Sequence, residues 1–302
     1  MKTKKKKINN NLFLPNSKDL SAWILILPAV LCIYLFIIRP QITGIYWSFF
    51  NMRGYKVEDF VGLANYKQVI ADTMFAKTLW NTFKYVLWSL VLGFLLPIFV
   101  AVILNELVHM RNTFRFCTYF PAVLPGMAVS LLWYLMYYPD RGGLLNMIGS
   151  WFGLQPYSWL QDSKNTIMLI VLSMTWNGCG STAIYYFASL QGVSRELYEA
   201  AIIDGAGFIK RFFTVTVPHI SGIALLFLVR QIIGVFSIME QPMQMTDGGP
   251  NGASNTLGLM AYKYGFVSIK PQLAMAVGVI MFLILMVFTL FYFYLDKKIE
   301  RD

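Results

Sequence analysis

The chain has 302 residues, 57% of them hydrophobic and only 13% charged. A soluble domain carries about 25% charged residues, so this composition excludes an ordinary soluble fold and points to the lipid bilayer. The net charge of +10 sits on a tail and on connectors between apolar runs, not on a soluble domain, which removes nucleic acid as a partner.

Lys4 to Lys7 precede a first apolar run with no small-residue cleavage site after it; the run passes straight into Arg39-Pro40. An uncleaved helix over 22–38 is expected, behind a basic tail, 1–21, on the cytoplasmic side. Five further runs follow at 79–104, 116–138, 166–190, 219–240 and 272–295. Each approaches or exceeds the roughly 20 apolar residues that cross a hydrocarbon core as a helix. They are too long and continuous for barrel strands, and only helices or closed barrels satisfy their backbone groups in lipid. The expected fold is therefore all-α and integral to the membrane, with about six spans forming one domain over 22–295 and a short tail at 296–302. With the N-terminus inside, inner segments carry 14 Lys and Arg against 9 outside, which places both termini in the cytoplasm. Cys32, Cys117 and Cys179 fall in apolar stretches without paired spacing and read as packing residues.

The connector 191–218 carries the densest signal. Ser194 to Asp204 is a short helical pattern, Asp204-Gly205 a turn, and Phe208 to Phe213 a second short pattern; Pro218 then opens the next span. A helix–turn–helix at the membrane surface, displaying charge and apolar anchors together, suits docking into a partner's groove.

The stretch resembles the EAA loop of ABC importer permeases: E-A-A, two residues, D-G-A, five residues, F, then Pro. Glu199, Ala200, Ala201, Asp204, Gly205, Ala206, Phe212 and Pro218 hold the positions of that pattern. The sugar-importing branch is resembled further by VGLANY from Val61, Asn81-Thr82, Pro121, Pro125, Trp133, GGLLN from Gly142, and MTDGGPNGAS from Met245. The likeness, akin to maltose and glycerol-phosphate permeases, covers roughly residues 20–295. It implies a type I importer permease in a bacterial inner membrane. It further implies a homologous second permease, two ABC ATPases docked on the loop, and an extracytoplasmic solute-binding protein delivering a sugar to loops 39–78 and 241–271. Glu199 would meet a basic group on the ATPase, and Gly205 would permit the sharp turn. His219, where the family favours an apolar residue, either caps the interface or touches the ATPase, and Asp247 stands where a small residue is common.

No GxxxxGK[ST] loop is present, so no phosphate cradle is expected in this chain; ATP and magnesium would belong to the partner ATPases. No cluster has metal-ligand spacing, and no catalytic arrangement of Ser, His and Asp emerges. Ionisable groups inside spans are candidates for the transport path. Arg230, beside Gln231, either faces the cavity and donates to sugar hydroxyls or a uronate, or pairs or packs inside the bundle. Trp176 and Asn177 either stack on and hydrogen-bond a sugar or pack between helices. Glu240 is expected near the outer end of its span, and Lys84 to snorkel from its own. A secondary transporter is the rival class. It would show an inverted repeat or a charge relay across spans, and neither is visible.

Overall fold

The computed structural model describes residues 17–107 and 109–299. Residues 1–16 of the expected basic tail lie outside them, as does the end of the chain after Ile299, while 17–21, expected in the tail, already belong to the helix Ser17–Ile33. Among the described residues five helices are long and apolar enough to cross a bilayer, and the number rises to six when a bent pair is counted as one span, in line with the about six expected. The spans are Trp23–Trp47, Phe75–Glu106, the pair Arg111–Val123 and Gly126–Met136, Thr166–Leu190, Phe208–Phe236 and Pro271–Leu290.

The third crossing was expected as one helix over 116–138; it is two helices meeting at 99°. Pro125 has no N–H to continue the ladder and disfavours helical backbone at the residue before it. Leu124 accordingly adopts extended backbone, φ −72° and ψ 138°. The fifth crossing was expected to reach residue 240 and instead ends at Phe236, with a separate short helix at Glu240–Thr246. Gly258 explains the break. A Cβ there would lie 2.6 Å from the Ile238 carbonyl oxygen and 2.8 Å from that of Ser237, so Leu257–Tyr262 presses into the gap. The first helix runs to Trp47 rather than 38, since Pro40 falls within the first two positions of the stretch Arg39–Trp47, where its missing N–H costs little. The connector after it holds a two-stranded antiparallel hairpin, Phe50–Arg53 with Lys56–Phe60, turning at Gly54 (φ +60°).

Thr166–Leu190 is the central helix, with half of its apolar window buried. Two clusters form along it. Near one end Tyr85, Tyr137, Ile170, Val171 and Val235 pack together; near the other Ala101, Leu104, Ala183, Tyr186, Phe187 and Ile220 do. Gly180 allows the closest approach, because a Cβ there would overlap the Thr118 carbonyl of the bent pair. The first span is the opposite case: none of its window is buried in the chain. Such a helix persists only where lipid or another protein covers it, its backbone bonds being closed within itself.

Candidate functional site: the exposed loop, the bundle cavity and the opposite rim

Ser194 caps the first helix of the connector, Arg195–Ile203, its hydroxyl accepting from the Glu196 amide at 3.2 Å. The far end closes in a Schellman arrangement. The Ala206 amide donates to Ala201 O and the Gly205 amide to Ile202 O, both at 2.9 Å. Gly205 holds φ +72° with nothing near its missing Cβ, so it is required for backbone conformation rather than for space. This is the turn expected at Asp204-Gly205. Phe208–Arg211 then runs through a π turn, Phe212–Thr216, into the fifth span, so the loop's second helix and the span form one continuous rod.

Glu199, Ala200, Asp204, Gly205 and Pro218 are exposed, Ala201 and Phe212 half-buried, and Ala206 buried. Apolar side chains are open beside them: Ile203 is 85% exposed and Ile209 71%. Two contacts seat the loop on the bundle. Phe212 stacks on Phe99 of the second span at 6.2 Å and 5°, and Tyr198 pairs through its hydroxyl with Thr216 Oγ1 at 3.1 Å. His219 reaches Ser189 O at 3.2 Å through Nε2, joining the exposed end of the central helix to the fifth span.

A cavity of about 380 Å³ opens between the second, fourth and fifth crossings. Ser89, Gly93, Thr175, Ser181, Tyr185, Arg230 and Gln231 are among its lining residues. The second span contributes through a π turn at Leu90–Phe94, a distortion frequent at functional positions. There Gly93 makes room for Gln231, whose Nε2 would lie 2.6 Å from an added Cβ. The structure thus brings Arg230 and Gln231 together on one cavity. Trp176 and Asn177 lie outside that lining. Trp176 meets Trp133 edge to face at 5.9 Å, and the Asn177 amide donates to Pro121 O at 2.6 Å across the bent pair. Glu240 belongs to the short helix and packs against Gly126, where an added Cβ would sit 3.4 Å from its carboxylate oxygens. Lys84 is exposed. Ser89, Gly93, Thr175 and Tyr185 were missed in the sequence; a small or hydroxylated residue in an apolar run was the only signal, and packing produces the same one. Among the described residues no group of three His, Cys, Asp or Glu could hold a metal ion.

The opposite rim is tightly bonded. Lys263 pairs with Asp247 at 2.9 Å, the only ion pair among the described residues, and donates to Asp247 O at 2.8 Å. Asp247 sits in the left-handed region, φ 47°, which Asp tolerates better than most residues. The Asn81 amide donates to Gly252 O at 2.8 Å, Lys77 to Asn251 O at 2.7 Å, and the Leu257 amide to Thr82 Oγ1 at 3.1 Å. Asn81-Thr82 and the DGGP segment are therefore two halves of one structure. Asn65 of VGLANY clamps the hairpin's entry by donating to Ser48 O and Phe50 O at 2.9 and 2.8 Å.

A membrane-spanning bundle with a rod-mounted helix–turn–helix at one end, a polar cavity within and a cross-tied rim at the other defines a transport subunit. The chain belongs to the family of binding-protein-dependent transport system inner membrane components, whose description matches residues 93–301. It is a permease subunit of an ABC importer of that kind, in the inner membrane. Among its relatives is the arabinooligosaccharides transport system permease protein AraP of Bacillus subtilis (strain 168). That protein is 30% identical over 276 residues, 91% of this chain and 88% of AraP. The multiple sugar-binding transport system permease protein MsmF of Streptococcus mutans is 31% identical, with 91% and 94% covered. The sn-glycerol-3-phosphate transport system permease protein UgpA of Escherichia coli O157:H7 is 28% identical, with 92% and 95% covered. The fold matches a chain of the bacterial alginate ABC transporter, solved with an alginate pentasaccharide-bound periplasmic protein. The TM-score is 0.83 at 22% identity, covering 93% of this chain and 96% of that one.

Proposed function

We propose that this subunit carries a saccharide across the inner membrane and that loop 191–218, facing the cytoplasm, couples it to ATP hydrolysis in a separate ATPase. The observation that carries the coupling assignment is the capped, rod-mounted helix–turn–helix displaying Glu199 and a set of bare apolar side chains. A surface transmits force only if it is stiff and firmly seated. The Schellman closure at Gly205 supplies stiffness, and exposed Ile203 and Ile209 supply apolar area for a groove on the partner. Glu199 would meet a basic group there. The loop's second helix continues through the π turn to Arg230 and Gln231, so a push that reaches Phe208–Arg211 is carried along one helix to the cavity.

The saccharide class follows from the relatives, whose names specify arabinooligosaccharides and multiple sugars. The rim built by 48–74, 139–165 and 241–270 would face outward and receive the solute-binding protein. The cavity would join that of a second, homologous permease, and both termini would lie in the cytoplasm. Two ATPase copies would hold the ATP and magnesium, the sequence of this chain carrying no GxxxxGK[ST] string.

The test is to tag this chain, solubilise native membranes and identify what co-purifies, for the native protein and for Glu199→Lys. An ATPase and a second permease should accompany the native chain. The variant should insert normally, lose the ATPase and lose ATP-dependent uptake. Normal uptake by Glu199→Lys, or a chain recovered alone under conditions that keep other importers intact, would overturn the coupling assignment.

A further inference from the structure

Two cavities run along the same face of the bundle and share Ser181 and Tyr185 in their walls. The first is the cavity already described. The second, of about 600 Å³, lies toward the loop end and is lined also by Asn112, Arg115, Phe116, Tyr119 and Ile184. Each holds one guanidinium, Arg230 in the first and Arg115 in the second, and neither is lined by a carboxylate.

Arg230 lies about 9 Å along the helix axis from Phe236, at 1.5 Å per residue, within the span and open to the cavity beside Thr175, Ser181 and Gln231. Its close aromatic neighbour is Phe227, with the guanidinium carbon 6.0 Å from the ring centroid. The side chain forms no ion pair among the described residues. A charge kept within a span at that expense needs an anion or a polar path to offset it. Arg115 lies over the Phe187 ring at 5.9 Å and likewise forms no ion pair there. Between the two, Tyr185 packs on Phe227 at 5.4 Å, presenting an aromatic face to both cavities. Guanidinium forks match carboxylate and phosphate geometry, and the rings of Tyr185, Tyr119 and Phe116 offer faces to a sugar ring.

We propose that the cargo is an anionic saccharide, its carboxylate or phosphate met first by Arg230 and handed past Tyr185 to Arg115. This rests on reading the chain as a saccharide permease and narrows the class of saccharide. Neutral sugars would offer these guanidinium groups hydroxyl acceptors but no opposite charge. Arg115, nearer the loop end, marks where the anion leaves for the cytoplasm.

The test uses the intact importer, purified through this chain and placed in phosphatidylcholine nanodiscs without the binding protein. Equilibrium binding is measured for radiolabelled trigalacturonate, maltose 6-phosphate and neutral maltotriose. At least one anionic probe should bind about tenfold or more tighter than maltotriose, the scale of a charge-assisted hydrogen bond. Arg230→Gln should erase that preference, Arg230→Lys should keep part of it, and both variants should still co-purify with the ATPase. Which anionic probe binds separates carboxylate from phosphate. Equal or better binding of maltotriose, no binding of any probe, or an unchanged preference in Arg230→Gln overturns the proposal. Loss of the preference when phosphatidylglycerol replaces phosphatidylcholine also overturns it, assigning the guanidinium groups to lipid headgroups. ATPase recovery is read in the same preparations, so a failed coupling assignment is seen separately from a failed substrate class.

Discussion

The connectors 139–165 and 191–218 are of similar length and sit at opposite ends of the central helix, yet their polar groups are used differently. In the first, polar groups are consumed internally. Buried Asn146 donates to the carbonyls of Tyr138, Pro139, Asp140 and Tyr157 at 3.0–3.2 Å and accepts from the Tyr157 amide and Trp159 Nε1 at 3.1 and 2.9 Å. In the second, the helix is capped at both ends but its outer face is left open, with Leu197, Ile202, Ile203, Phe208 and Ile209 all exposed. The first connector leaves apolar side chains open too, Trp151 and Phe152 among them. What separates the two is the buried asparagine that ties the first connector's carbonyls together, which the second lacks.

The sharpest way to break this contrast is Asn146→Leu. It strands two donors and several carbonyls at once, and each buried polar group left unmade costs about 1–3 kcal/mol. We expect a loss of about 3 kcal/mol or more, seen as a lower thermal midpoint and a smaller monodisperse fraction in detergent. A midpoint unchanged within a degree would mean that the connector is not closed as described. Next is Gly143→Val. The φ of Gly143 is ordinary, −66°, but a Cβ would overlap the Tyr138 carbonyl. The backbone must move, at a cost of about 1–3 kcal/mol.

Gly205 is the counterpart, a glycine needed for its φ with open space around it. Gly205→Asp places a residue that tolerates left-handed backbone there, at a cost of about 1 kcal/mol, but adds charge to the open face. The thermal midpoint should stay near that of the native protein while ATP-dependent uptake falls at least tenfold. Gly205→Asn, uncharged and also tolerant of this backbone, should recover much of the uptake. Equal loss in both variants would show that the turn, not the surface, is what the partner reads.

Much of the bundle was legible because long apolar runs have one physical solution in lipid. The Asp204-Gly205 turn was legible because positive φ has a short list of occupants. What escaped depended on contacts across the chain. Pro125 was visible, but a 99° bend depends on Gly180 admitting the Thr118 backbone. Asn81-Thr82 and the DGGP segment were each noticed without their mutual hydrogen bonds, because a separation of some 170 residues leaves no trace in local pattern. Glu240 read as a span end because Ser237 does not announce a break; the break comes from the glycine face of Gly258 pressing on it.

The smallest expected effect is that of pH. Tyr157 donates to the Asp162 carboxylate at the edge of the closed connector. That hydrogen bond, followed by the one from the Lys164 amide, holds the Asp162 carboxyl below its ordinary value and pushes the Tyr157 phenol above its own. The lowered carboxyl contributes stability that is present above about pH 4, the unfolded value, and is lost as pH falls through the folded one. The raised phenol contributes below about pH 10 and is lost as pH rises through its folded value. Between these edges the pair is constant, so the native protein and Asp162→Asn should differ by a fixed, small interval in thermal midpoint from pH 5 to 9. That interval should narrow in acid, and the Tyr157 phenolate should form at lower pH in the variant, followed by absorbance. A difference that changes across pH 6–8 would point to another group, and the connector would then respond to its surroundings after all.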